Sequence, residues 1–337
     1  MISRRYGPDD KEAVMAVLSA CYDGWHGDSS EAFWAWKFDR NPHGPARIWV
    51  GDDGGEIAGC YILNPVTLQV GEATIHGAQA VDAAVNPDYR GRGVFTDLAR
   101  VALTGATDEG IGLVFAFPSA GALGGQIRVG FKPQFVVPMA SRPLLWPPRP
   151  RRFDGLTLNE VNKFDLRFDA FAKCGRNREV SVRRDAAYLQ WRYYAHPTKT
   201  YETITCERDG EIYGYCVLNV DATRKVAHGL VVDFQVLPES GSTARFLAYH
   251  ALRRLHSLGA RVAVSWERHT GPEQEALRSF GFSRRYASIR RGFKRPQYIE
   301  QLIAFEGEDG GVPELRPGRS IADPLRWSLV PGDADYT

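Results

Sequence analysis

The segment with the clearest chemical content runs from Gln79 to Leu98, QAVDAAVNPDYRGRGVFTDL. Arg90-Gly91-Arg92-Gly93 stands between a run of small apolar residues and Val94, Leu98 and Val101, whose spacing predicts a helix. Glycines let backbone N–H groups converge on one point, and a helix N-terminus carries partial positive charge. Together these build an anion site, most often for a phosphate. Arg90 and Arg92 add charge and forked donors. Two elements must position the loop. One is a strand over Gln79–Val85, stopped at Pro87 because proline has no ladder donor; the other is the helix beginning at Val94.

The chain has 337 residues, enough for two domains, each able to bury a core. A 44% hydrophobic and 12% aromatic content indicates a folded protein, not a disordered one. A formal net charge of +2 gives no global pull toward nucleic acid or membrane. The five cysteines are odd in number and show no CxxC spacing, which fits a reducing compartment. The N-terminal residues MISRRYGPDDKE lack the apolar core of a signal peptide, and no apolar run reaches the ~20 residues of a membrane span. The expectation is a soluble cytoplasmic protein. No zinc, Ser-His-Asp or Walker spacing occurs in the sequence, and no metal is expected.

The chain repeats itself. Phe33–Asn64 matches Tyr188–Asn219 without a gap, with Trp36 on Trp191, Pro42 on Pro197, Gly59 on Gly214 and Leu63-Asn64 on Leu218-Asn219. Lys37 and Arg192, and Phe38 and Tyr193, match in kind. After a four-residue shortening, Val81-Asp82 falls on Val232-Asp233, Val85 on Val236 and Gly130-Phe131 on Gly281-Phe282. The expected fold class is α/β, a mixed sheet with helices, present twice. The expected division is a first domain over 1–145, a proline-rich linker over 146–152, a second domain over 153–295 and an extension over 296–337. The four prolines of Ser141–Arg152 forbid regular ladders and mark the linker region. The ending, Trp327 to Asp335, is too apolar for a frayed tail.

With this element order, the loop resembles motif A of the GNAT superfamily of N-acetyltransferases, Gln/Arg-x-x-Gly-x-Gly/Ala, standing here as Arg90-Gly91-Arg92-Gly93-Val94-Phe95. The resemblance covers about 140 residues of each copy. It implies tandem acyl-CoA N-acyltransferase domains. It also implies a pyrophosphate of acetyl-CoA, or another short acyl-CoA, on the N–H groups from Gly91 to Thr96. The pantetheine arm would then lie along Ala83 and Val85, with Ser119 near it. Phe95 departs from the usual small residue, and Gln126 stands where many members have a tyrosine that protonates the leaving thiolate. The second copy reads Pro238-Glu-Ser-Gly-Ser-Thr243, without arginine and with an added carboxylate at Glu239, which opposes phosphate. The donor site is therefore expected in the first copy alone.

The implied reaction is attack of an amine on the thioester. A lysine-like amine, with a pKa of roughly 10.4, is almost wholly protonated at neutral pH and needs a base. Asp82, the acid on the strand beside the thioester, is one candidate; its recurrence as Asp233 in the degenerate copy favours a structural carboxylate. His26, in Asp23-Gly-Trp-His-Gly-Asp28, is the other. The acceptor is expected to be a small-molecule amine, such as an aminosugar or amino-acid derivative. Two alternatives remain: a non-catalytic acyl-CoA-binding protein, and a tRNA-dependent aminoacyl transferase using the basic run Arg284–Arg295. Nucleic acid is the less favoured partner, because such runs usually form a solvated face.

Overall fold

The computed structural model describes residues 1–174, 180–238, 240–267, 271–284, 299–306 and 327–333. It divides into two compact units. The first holds Met1–Phe135, Ala195–Thr198 and Gln301–Ala322; the second holds Val136–Tyr194, Lys199–Glu300 and Asp323–Thr337.

In the first unit the elements run β1 (Ile2–Arg5), α1 (Lys11–Cys21), α2 (Ser30–Trp34), β2 (Arg47–Asp53), β3 (Glu56–Val70), β4 (Ala73–Val85), α3 (Val94–Asp108), β5 (Leu113–Ala116) and α4 (Ala120–Arg128). The apolar positions Val14, Val17 and Leu18 of α1 are buried, as their spacing requires. Helix α3 turns Val94, Leu98, Ala99, Ala102, Leu103 and Ala106 inward. That stripe packs over Trp49, Tyr61, Leu63, Ala78 and Val114 to make the core. The hairpins at Gly54-Gly55 and Gly71-Glu72 form as their turn residues predict.

In the second unit the order is β6 (Lys132–Pro143), β7 (Thr157–Val161), α5 (Leu166–Cys174), β8 (Val180–Val182), α6 (Ala186–Leu189), β9 (Glu202–Arg208), β10 (Glu211–Asp221), β11 (His228–Val236), α7 (Gly241–Ser257), β12 (Val262–Trp266) and α8 (Pro272–Ser279). A last strand, β13 (Ile299–Glu306), follows. The repeat is visible in backbone detail. Helix α2 runs into a π-turn at Ala35–Asp39, and α6 runs into another at Gln190–Tyr194, the matched positions.

The first sheet is ordered β1-β2-β3-β4-β5-β13 and the second β6-β12-β11-β10-β9-β7. The β4–β5 pair in the first and the β11–β12 pair in the second are parallel. The repeated glycines Gly59 and Gly214 stand where β3 meets β4 and β10 meets β11. A Cβ would come within 2.7 Å of the Ala84 carbonyl and 2.8 Å of the Gln235 carbonyl. Close backbone approach, not turn geometry, requires glycine there.

Three features differ from expectation. Strand β6 continues to Pro143, inside the stretch read as linker, because Met139–Pro143 pair with Val262–Trp266. Proline removes a donor but leaves its carbonyl, and Pro138 O accepts from Glu267 N at 2.7 Å. Contacts accordingly place residues 136–145 with the second unit, where the sequence placed them with the first domain. Likewise β13, taken as extension, pairs with β5 in the first sheet. Finally, β1 and β7 escape sequence periodicity: ISRR and TLNEV are short and largely polar edge strands. Most of the basic run, residues 285–295, and Glu239 lie outside the described residues. Arg284 is described, and it pairs with Glu267.

Candidate functional site

Strand β4 determines what the first unit can bind. Its parallel ladder with β5 ends at Gln79↔Phe115, while β4 itself continues to Val85. Residues Ala80–Val85 therefore keep a backbone edge that β5 does not cover. Asn86 N donates to Ala58 O on the β3 side. Because successive residues face opposite edges, Ala84 also faces β3, and Ala83 and Val85 face the open side. The two carbonyls there are capped by side chains: Tyr22 Oη donates to Ala83 O at 2.9 Å, and Cys21 Sγ to Val85 O at 3.2 Å.

The open edge leads into the loop. Asn86 accepts from Asp88 N and turns the chain through Pro87–Tyr89. Gly91 has φ +76° and Gly93, which caps α3, has φ +84°, in the left-handed region where side chains are costly. Arg90, Gly91, Arg92 and Gly93 are exposed. The N–H groups of the first turn of α3, at Val94, Phe95 and Thr96, have no carbonyl four residues back within the helix. Arg90 reaches Val85 O (3.3 Å) and Cys21 Sγ (3.6 Å), and the Arg92 guanidinium lies 5.1 Å from the Tyr89 ring centroid. The result is a cationic cradle at the end of an uncovered strand edge.

Phe95 fits because of a second glycine. A Cβ at Gly125 of α4 would lie 2.5 Å from the Phe95 ring, so the missing side chain is what admits it. Phe95 also meets Tyr61 edge-on at 5.9 Å. Tyr61 Oη donates to Gln126 Oε1 at 2.8 Å, and both residues are buried. Gln126 is thus committed to the core. Ser119 is exposed at the start of α4, and its side chain makes no cap bond.

The register across β3 and β4 slips at a bulge, where Asp82 and Ala83 oppose Tyr61 alone; Asp82 has φ +44°. Asp82 Oδ2 accepts from Lys37 Nζ at 2.5 Å, and the lysine is buried. Lys37 Nζ lies 5.4 Å from the Phe33 centroid, and His26 stacks on the same ring at 3.4 Å. The structure thus brings both candidate bases to one wall. His26 is exposed, with φ +68°, and His196 joins the wall at 4.3 Å from Trp36 and 5.8 Å from Phe33. Lys37 had one sequence signal, its match in kind with Arg192. Tyr22 and His196 had none, since each acts through a contact distant in sequence.

The matched region of the second unit is closed. The β11–β12 ladder ends at Leu230↔Val264, but Leu329, Val330 and Pro331 lie against Val231, Phe234 and Trp266. Val236 N, matched to Val85, donates to the Glu273 carboxylate at 3.2 Å. Asp233, matched to Asp82, is fully buried and accepts from Arg184 (2.9 Å) and Tyr193 (3.0 Å). Arg184 also grips Asp333 at 2.5 and 2.6 Å. Burial works against the Arg184 charge, yet Asp233 and Asp333 outweigh it and hold the guanidinium pKa well above its ordinary value.

Among the described residues no group of three or more His, Cys, Asp or Glu side chains could hold a metal ion. Nor is any helix among them long and apolar enough to cross a membrane.

Residues 3–131 match the family model described as the acetyltransferase (GNAT) domain. No curated protein matches the sequence. Solved structures share the fold across both units. A GCN5-related N-acetyltransferase from Anabaena variabilis aligns with a TM-score of 0.70 at 14% identity, over 92% of this chain and 74% of that one. A probable N-acyltransferase from Enterococcus faecalis gives 0.67 at 12%, over 91% and 73%. A tandem GNAT protein from the clavulanic acid biosynthesis pathway gives 0.57 at 15%, over 91% and 98%. At these identities the likeness is one of fold.

Proposed function

We propose, because residues 3–131 match the GNAT acetyltransferase domain and a solved tandem GNAT structure shares the fold, that this chain is an acyltransferase and that its first unit transfers an acetyl or other short acyl group from acyl-CoA to a small-molecule amine. One observation carries the assignment of the donor to this unit: the uncovered edge of β4 runs directly into the N-terminal cradle of α3.

The pyrophosphate sits on the N–H groups from Gly91 to Thr96, with Arg92 beside it and Arg90 at the inner end. The pantetheine amides pair with Ala83 and Val85. They displace Tyr22 and Cys21, whose hydroxyl and thiol hold those carbonyls in the free protein. This order of contacts brings the thioester to the open edge at the bulge, where a strand N–H stabilises the oxyanion of the tetrahedral intermediate. The amine attacks the carbonyl carbon, the C–S bond breaks, and the thiolate leaves.

Gln126 is turned into the core, so the thiolate takes its proton from water or from Ser119, which stands exposed by the arm. The acceptor ammonium loses its proton at the wall formed by His26 and Asp82. Asp82 is tied to Lys37, which stabilises the carboxylate and weakens it as a base. His26 is exposed, and a neutral imidazole accepts a proton, so it removes the proton directly or through water. Asp82 then holds the bulge and the charge of Lys37 in place.

Calorimetric titration of the full chain with acetyl-CoA tests the donor site: one equivalent is expected, weakened by Arg92→Ala. Release of free thiol against a panel of amines tests turnover, with His26→Ala lowering kcat. Absence of acetyl-CoA binding overturns the proposal. Binding without thiol release for any amine would favour acyl-CoA capture alone.

A further inference from the structure

The C-terminal stretch Trp327–Asp333 is used by nothing in the reaction above, yet its burial is nearly complete. Trp327, Leu329 and Val330 are each less than 5% exposed, and Pro331, Gly332 and Asp333 are buried too. Its position is the gap left where β11 and β12 part. In the first unit the matched gap is the proposed path of the acyl-CoA arm; the name given to the second gap rests on that reading.

The contacts resemble those of a ligand more than those of a strand. Among the described residues of this stretch the only sheet contact is a single bridge, Val180↔Trp327. Ser328 N donates to Val180 O at 2.9 Å. The chain then turns, with Val330 N on Asp333 Oδ2 at 2.9 Å, and puts apolar side chains into the gap and a carboxylate on Arg184. Gly332 O accepts from Arg192 Nε at 2.9 Å. A Cβ on Gly332 would overlap Tyr193 Oη at 2.2 Å, so the turn is fitted to its pocket. The edge N–H of Val236, matched to Val85 on the first unit's open edge, is satisfied by Glu273. An apolar body, a terminal anion and a buried arginine–carboxylate clamp together form a recognition site with its occupant in place.

We propose that the cleft of the second unit is a peptide-binding site whose resident ligand is the chain's own segment Trp327–Asp333, held as a tethered pseudo-ligand in place of acyl-CoA. A tether raises the local concentration of the segment, so the cleft stays filled without exceptional intrinsic affinity. A protein stabilised by a bound ligand is restabilised by free ligand in proportion to its concentration, whereas a segment that is ordinary core is not replaceable from solution.

The test uses the full-length chain carrying Val330→Asp, which drives a charge into the apolar gap and unseats the segment. Its Tm is expected to fall by more than about 5 °C. A synthetic peptide of residues Trp327–Thr337 is expected to raise it again, in a dose-dependent way, while the same peptide with Asp333→Asn binds at least about tenfold more weakly. Hydrogen exchange on the unmodified chain provides a second measurement should the variant fail to fold. The Ser328 and Val330 amides are expected to be protected, and Asp333→Asn in the full chain to increase their exchange at least about tenfold. A folded Val330→Asp chain indifferent to millimolar peptide overturns the proposal, as does fast exchange at Ser328 and Val330 in the unmodified chain. So does acetyl-CoA saturation of the unmodified chain at two equivalents. Failure to bind acetyl-CoA at all defeats only the donor site of the first unit, because the peptide response is independent of it.

Discussion

The two units carry the same strand pair and the same carboxylate and use them in opposite ways. In the first, β4 and β5 part, the edge beyond Gln79 is capped by side chains from the end of α1, and Asp82 is 12% exposed beside Lys37. In the second, β11 and β12 part in the same way, but the gap is filled by Leu329–Pro331, and Asp233 is sealed under Arg184. One duplicated fold can therefore keep an open strand edge or bury a clamp on the matched strand. Side chains at a few matched positions decide which: Lys37 against Tyr193's neighbour Arg192, and the loop Arg90–Gly93 against Pro238–Thr243.

Variants that treat the units differently sharpen this contrast. The largest effect is expected from Arg184→Ala. Removing the guanidinium takes a buried counter-charge from Asp233 and Asp333, at a cost of about 3–5 kcal/mol; chemical denaturation should show the midpoint falling. Lys37→Met, at the first unit's pair of one lysine with one carboxylate that is 12% exposed, should cost markedly less, and equal losses would break the comparison. Next, Gly93→Val forces a β-branched residue to φ +84° at the mouth of the cradle. Acetyl-CoA affinity is expected to fall by roughly tenfold to a hundredfold, from about 1–3 kcal/mol of backbone strain. Gly241→Val in the second loop should leave it unchanged, as calorimetry on both variants would reveal. A loss at Gly241 as well would mean that the second loop shares in binding.

Smaller effects come from the caps on the open edge. If pantetheine must displace the Tyr22 hydroxyl from Ala83 O, Tyr22→Phe should tighten acetyl-CoA about threefold to tenfold, since the bond lost in the free protein is worth about 1 kcal/mol. Weaker binding in that variant would place Tyr22 among the donor's contacts instead. The smallest effect concerns acid stability. Arg4 forks onto Asp10 at 2.7 and 2.8 Å, and its hydrogen bonds hold the Asp10 carboxyl below the ordinary carboxylate value. A depressed folded-state pKa gives stability that is present above the ordinary value and lost as pH falls through the depressed one. Arg4 is over a third exposed, so solvent screening limits this to below about 1 kcal/mol. Asp10→Asn should flatten the acid limb of a Tm–pH profile by that small amount.

The elements carrying the proposed site were legible because their signals are local. The cradle needs two glycines and a helix start within a few residues, and the hairpins need their turn residues. The repeat was visible because Gly59 and Gly214 both lie under a carbonyl that no side chain can share. Asp82 and His26 were selected by residue type; that Lys37 neutralises one and Phe33 stacks on the other was hidden in contacts 45 and 7 residues apart. Phe95 read as a misfit because its complement, Gly125, belongs to a different helix.

The sequence by itself determined the duplication, the order of the longer strands and helices, and an arginine- and glycine-bearing loop in one copy only, since each follows from periodicity, turn chemistry or charge within a short window. Only the tertiary structure decided that β6 pairs with β12, that β13 pairs with β5, and that Trp327–Asp333 is buried, with Leu329–Pro331 beside Val231, Phe234 and Trp266. Those choices depend on which backbone edge and which apolar gap is left uncovered once the rest of the chain has packed, a quantity that no local stretch of residues encodes.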